Sequence, residues 1–154
     1  EPSAGTALIF LEGGDAIMNV EAGFEYGFSL SYSSSVVGTI EIYDGLDGTG
    51  NLLASLNLTA NFDNNCSGDP FGDFCHWDQI GVIFKGKAKS VVFEGPRTAT
   101  FYDDIRLGRD VMRECKKKIK KRRNRHAMDD DMDFDDARDE CKDFKKYRLN
   151  RYSD

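Results

Sequence analysis

Histidine is nearly absent from this chain: His76 and His126 are the only two in 154 residues, beside three prolines and one tryptophan. Few groups therefore titrate near neutral pH, and general acid–base chemistry has little to work with. There is no G-x-S-x-G turn, no phosphate-cradling glycine loop and no C-x2-C pair. The common hydrolase, nucleotide-binding and zinc readings fall with those signatures. No run approaches the ~20 apolar residues that cross a bilayer. The sequence points away from an enzyme and away from a membrane span, and no cofactor is expected.

What is present suits a folded protein: 40% hydrophobic, 12% aromatic and 31% charged residues, enough for one core and an appendage. Charge is unevenly spread. Residues 1–108 hold 5 Lys/Arg against 15 Asp/Glu, a net of −10, and residues 109–154 hold 16 against 12, a net of +4. The switch at Gly108 marks a boundary between a module of residues 1–108 and one of residues 109–154. The opening Glu1-Pro2-Ser3-Ala4-Gly5 reads as a processed N-terminus.

Four cysteines fall as one local pair per module, Cys66 with Cys75 and Cys115 with Cys141. Of the three connectivities open to them, only this one keeps each bridge within its module. Disulfides persist in oxidising compartments, so an extracellular, periplasmic or organelle-lumenal location is expected. Free buried thiols in a cytosolic protein are the competing reading.

The first module consists of short β-runs separated by Gly, Asn and Asp: 7–11, 16–20, 24–32, 38–43, 52–58, 80–84, 90–93 and 99–107. Phe28, Leu30 and Tyr32 alternate with Gly27, Ser29 and Ser31, the period of a strand with one apolar face. Such faces must be buried together, which predicts a mainly β fold, a jelly-roll-like β-sandwich. Asp44-Gly45 and Asp47-Gly48 supply the positive φ angles that a tight connection between Gly38–Tyr43 and Leu52–Leu58 needs. Turn chemistry outweighs calcium binding as the explanation of those carboxylates.

Four segments carry a resemblance to a known family: GTIEIYDGLDGTGNLLASL, NNCSGDPFGDFCHWDQIGVIF, KAKSVVFEG and the closing FYDDIRLG. Over residues 7–108 the chain resembles the extracellular β-sandwich domain of cyanobacterial proteins that carry a PEP-CTERM sorting signal. The resemblance implies an exported, non-enzymatic domain. The chain departs from it after Gly108, where a charged segment stands in place of the sorting tail. A looser similarity to CUB domains runs through Ile40–Gly45.

Several residues are candidates for binding. Strict alternation through Phe101, Ile105 and Leu107 places Asp103 on their inward face, where an unpaired carboxylate is costly. It must then be hydrogen-bonded, displaced by a bulge or metal-bound; for the last reading, the closing strand's resemblance to that of galactose-binding-like jelly rolls implies Asp103 or Asp104 with Glu12 as calcium ligands. The loop closed by Cys66 and Cys75 offers Phe71, Phe74, His76 and Trp77 as a recognition surface, although Trp77 is expected in the core. Asn57-Leu58-Thr59 and Asn65-Cys66-Ser67 are glycosylation sequons, with Asn57 facing outward.

In the second module a basic run and an acidic run mirror each other about residue 128, setting Lys116 against Glu140 and Lys121 against Asp135. That register predicts an antiparallel helical hairpin, helices 110–125 and 133–151, stapled by Cys115–Cys141 and with Asp110 as N-cap. The basic run would be neutralised by its partner helix, so nucleic acid is not an expected ligand. The apolar stripes are thin, with Met112, Ile119, Phe134, Phe144 and Tyr147 available for docking. The expected function is a non-catalytic, exported structural or interaction subunit that docks through the hairpin on other protein chains of a larger assembly. The alternative is a carbohydrate-binding or adhesive, lectin-like module, with calcium as its accessory ion.

Overall fold

The computed structural model describes residues 7–11, 14–62, 74–96 and 98–123, with side chains as far as residue 117. Among the described residues six strands and one helix follow in order: β1 (Leu8–Ile9), β2 (Ala16–Ser34), β3 (Gly38–Tyr43), β4 (Leu52–Leu58), β5 (Asp78–Glu94), β6 (Thr100–Leu107) and α1 (Arg109–Arg123). The strands form one sheet in the order β1-β6-β2-β5-β3-β4, and every pairing is antiparallel.

The spans of β3 and β4 match the sequence pattern. Elsewhere the eight expected runs become six strands, because 16–20 joins 24–32 and 80–84 joins 90–93. The sequence pattern makes the glycines between them breaks. They are instead bends within continuous strands: Gly23 has φ +70, Gly86 φ +101, and Tyr26 joins them at φ +78. The β2–β5 register shifts between Asn19 and Phe24 and again between Glu25 and Tyr26, as at bulges, which curve a strand and raise its twist.

Those bends double the sheet over. Phe93 pairs with Ala16, and Ala16 to Phe28 spans about 40 Å in straight strand. Yet the Phe28 and Phe93 ring centroids are 6.3 Å apart. The β2–β5 ribbon therefore folds back on itself. One half holds the start of β2, the end of β5, β3 and β4; the other holds β1, β6, the end of β2 and the start of β5. The fold is mainly β and compatible with a β-sandwich.

Phe28, Leu30, Ile40, Ile42 and Val91 are fully enclosed between the halves, each contributing about 1.5–3 kcal/mol of transfer free energy. Phe10, Phe93 and Tyr102 close one end, with ring centroids 5.1 to 5.7 Å apart.

Helix α1 begins at Arg109, one residue before the expected start, so Asp110 lies in its first turn and not at the cap. Gly108 precedes the helix at φ +82, its N–H donating to the Gly27 carbonyl at 2.8 Å. Val111 and Cys115 are buried at 1% and 2% exposure, while Met112 is half-buried. The helix seats on β2 at Gly27, where a Cβ would come within 2.9 Å of Val111 Cγ1. Arg106 Nη1 bonds Glu114 Oε2 at 2.8 Å, and the Arg109 guanidinium lies 5.0 Å over the Tyr26 ring.

The expected second helix, with Phe134, Cys141, Phe144 and Tyr147, lies outside the described residues, as do Glu12, Asn65, Cys66, Phe71 and the Ile119 side chain. Neither Cys75 nor Cys115 is a free thiol; the pairing of each rests on residues not described. No helix among the described residues is long and apolar enough to cross a membrane.

Candidate functional site

Strand β6 decides which way its side chains face. The structure buries Tyr102, 4% exposed, and places Phe101 and Asp103 half-buried on the opposite face. Ser29 pairs with Arg106 and Ser31 with Asp103, so Asp104 and Ile105 together stand opposite Leu30 alone. Asp104 has φ +51 and its N–H donates to Asp103 Oδ1 at 2.7 Å. This is a bulge, and it switches the parity of the strand. Ahead of it the even positions face the core; beyond it Ile105 and Leu107 do. Strict alternation therefore does not hold, and of the three alternatives for Asp103 the structure shows the bulge, with a hydrogen bond to the Asp104 N–H.

The acidic candidates are engaged locally. Besides its bond to Asp104 N–H, Asp103 has a neighbour whose Oδ2 lies 3.8 Å from Arg106 Nη2. In the β3–β4 connection both Asp44 oxygens accept from Asn51, from its N–H at 2.7 Å and its Nδ2 at 2.8 Å. The Asn51 side chain, then its backbone, holds the Asp44 carboxyl below the usual carboxylate range. Among the described residues no group of three or more His, Cys, Asp or Glu is placed to hold a metal ion. On the outer face of β3 and β5, the Tyr43 hydroxyl donates to Glu41 Oε2 at 2.6 Å. Loss of water raises the Glu94 carboxyl above its usual range, and Glu41 and Asp15 raise it further.

An aromatic face forms on the outside of the half that carries β6. Phe101 pairs there with Ser33 of β2. Phe74, at φ +69, lies against it with ring centroids 4.7 Å apart and planes at 59°. Phe62 is next, 6.3 Å from Phe74 and 38% exposed. Phe62 follows β4, which belongs to the other half, so the chain must cross to bring it here. Asn61 and Phe62 make that crossing by donating backbone N–H groups to Ser34 O at 2.8 and 3.0 Å. The Asn61 side chain locks it, accepting from Ser34 N–H at 2.7 Å and donating to Tyr32 O at 3.2 Å and Asp78 Oδ2 at 3.0 Å.

Of the loop residues singled out by sequence, Phe74 joins this face. His76 is exposed, and Trp77 is half-buried and not a core residue. Phe62 and Phe101 were not anticipated: no pattern marks Phe62, and the bulge hides the parity of Phe101. Beside Phe101, its pairing partner Ser33 is fully buried, and among the described residues its hydroxyl has no hydrogen-bond partner. Asn57 is exposed on β4, as its parity with Ser55 and Thr59 predicts.

No protein-family model matches the chain, and no curated protein matches it significantly. Two solved structures superpose on 70% of it, each at 20% sequence identity and a TM-score of 0.44. One is a glycoside hydrolase family 43 arabinoxylan arabinofuranohydrolase from Bacillus subtilis in complex with cellotetraose, of which this chain spans 23%. The other is a family 6 carbohydrate-binding module, of which it spans 76%. Likenesses this loose assign neither a fold family nor an activity.

Proposed function

We propose that the chain is a non-catalytic, exported binding domain, a jelly-roll-type sandwich that takes carbohydrate on its Phe62–Phe74–Phe101 face. The observation that carries this reading is the gathering of three rings from three separate segments on one outer face, held by the Asn61 crossing. Half-exposed rings of this kind stack against the apolar C–H faces of sugars, and flanking polar groups fix orientation. Asp103, two positions from Phe101 on the same face, and exposed His76 are the polar groups nearest in the chain. Export rests on the four cysteines, which we read as the Cys66–Cys75 and Cys115–Cys141 bridges.

The test is a glycan array followed by calorimetric titration of the best binder against the Phe101→Ala and Phe74→Ala variants. The reading expects saturable binding that each variant weakens about five- to thirtyfold, the size of one lost aromatic contact of about 1–2 kcal/mol. Binding unaffected by either variant would move the site elsewhere; no glycan binding at all would remove the carbohydrate reading.

A second reading, docking on protein partners through the segment beyond residue 108, draws support from the anchoring of α1. Val111, the Arg106–Glu114 pair and the Arg109–Tyr26 contact give that charged segment a fixed departure from the sheet. Purification from source under mild conditions decides it: the reading expects other chains to copurify, and their absence overturns it.

A further inference from the structure

Sheet edges are ready templates for another strand, and stable proteins blunt them with Lys, Pro, bulges or shortness. Strand β1 is blunted by being two residues long. Strand β4, at the other edge, is not. Its sequence, Leu-Leu-Ala-Ser-Leu-Asn-Leu, holds no charge and no proline. Its one irregularity is the register shift at Ile42/Tyr43, which falls at the Leu53 end. The run Ala54–Leu58 is regular. Among the described residues β4 pairs with β3 alone, and its outer-face side chains Ser55 and Asn57 are exposed.

Apolar exposure gathers along the same hairpin. Val37, just before β3, is 72% exposed; Leu46 in the connection and Leu52 at the start of β4 are 36% and 51% exposed.

We propose that the β4 edge is a self-association surface, through which two copies of this chain pair antiparallel and continue one sheet across both. A second copy is the occupant because the strand complements itself. With a two-fold axis at Leu56, Leu56 meets its own copy, Ala54 meets Leu58 and Ser55 meets Asn57. Residues directly opposite in an antiparallel pair share a face, so apolar meets apolar on the core side and polar meets polar on the outer side. The chain is acidic overall, at −6, and two copies repel at most contacts; this strand brings no charge to the seam. Edge pairing alone buries less than the ~1,200 Å² of a standard interface, so the dimer is weak and concentration-dependent. It carries two aromatic faces, so a polymeric ligand could engage both.

The experiment uses the full chain, made in a bacterial periplasm so that Asn57 carries no glycan. Sedimentation equilibrium is run from about 5 to 500 μM, a range suited to weak interfaces. The weight-average mass is expected to climb from 17.3 kDa toward twice that value. Ser55→Lys/Asn57→Lys sets lysines directly opposite each other across the seam, twice, and is expected to remain a monomer throughout. Leu11→Lys/Ile17→Lys adds the same charge at exposed positions away from β4 and is expected to associate like the unmodified chain. A second readout does not depend on any variant folding: β4 amides in the unmodified chain should exchange more slowly at 500 than at 5 μM. A monomeric unmodified chain, concentration-independent β4 exchange, or a folded Ser55→Lys/Asn57→Lys variant that still dimerises would each overturn the proposal.

Discussion

Gly27→Ala tests how α1 is held. Gly27 is central in the sheet, and an added Cβ would lie 2.9 Å from Val111 Cγ1, 3.0 Å from Val111 Cβ and 3.0 Å from the Val82 carbonyl oxygen. The carbonyl belongs to β5, which is held against β2 at this point by the Gly27–Ile83 and Phe28–Val82 pairs. The helix must lift instead. Overpacking of this kind costs about 1–3 kcal/mol, and any burial Val111 loses adds to it. In a domain of this size the midpoint of thermal unfolding should fall by about 3–10 °C. The decisive assay is a double-mutant cycle by urea unfolding with Val111→Ala, which removes the colliding methyl. Val111→Ala alone should destabilise, and the Gly27→Ala penalty should shrink by 1 kcal/mol or more in its presence. Independent, additive effects, or a Gly27→Ala change within about 0.5 kcal/mol of neutral, would refute direct seating of the helix on the sheet.

Other outcomes follow from single contacts. Asn61→Ala leaves the buried Ser34 N–H without its side-chain acceptor and should cost about 1–3 kcal/mol by urea unfolding, while weakening glycan binding through Phe62. Asp44, held below its ordinary value of 3.8, stabilises fully above that value and loses the contribution as pH falls through the lowered one. Asp44→Asn should therefore flatten the acid limb of a stability–pH curve, and an unchanged limb would count against the Asn51 bonds. Glu94 shows the opposite sign. Raised above its ordinary 4.5 by burial and then by Glu41 and Asp15, it favours folding when protonated and disfavours it as pH rises through the raised value. Glu94→Gln should raise the melting temperature at pH 7 and leave it nearly unchanged below pH 4.5.

The strand pattern was legible wherever one face is apolar and the run ends in a true turn, as in β3 and β4, whose connection carries Asp44-Gly45 and Asp47-Gly48. It failed at Gly23 and Gly86, because a glycine that bends a strand and one that ends it look alike until the pairing register is known. Phe101 failed for a related reason. A bulge at Asp104 shifts parity by one, and nothing in Tyr-Asp-Asp-Ile distinguishes a bulged pair of aspartates from an alternating one. The helix start was legible from the charge switch at Gly108. Its seat was not, since Val111 finds Gly27 across 84 positions of sequence. Of the aromatic face, only Phe74 was visible, as part of a cysteine-bounded loop. Phe62 joins through the Asn61 crossing, a long-range contact with no local signature.

Trp77 offers the most direct test of the binding face, because it is the only tryptophan in the chain and follows Phe74 closely into β5. Its fluorescence, recorded while soluble oligosaccharides are titrated in, should shift saturably for a ligand that seats on Phe62, Phe74 and Phe101. That shift should vanish in Phe74→Ala and Phe101→Ala chains that still unfold cooperatively. A saturable shift that survives both substitutions, or none for any oligosaccharide that the glycan array retains, would contradict the account.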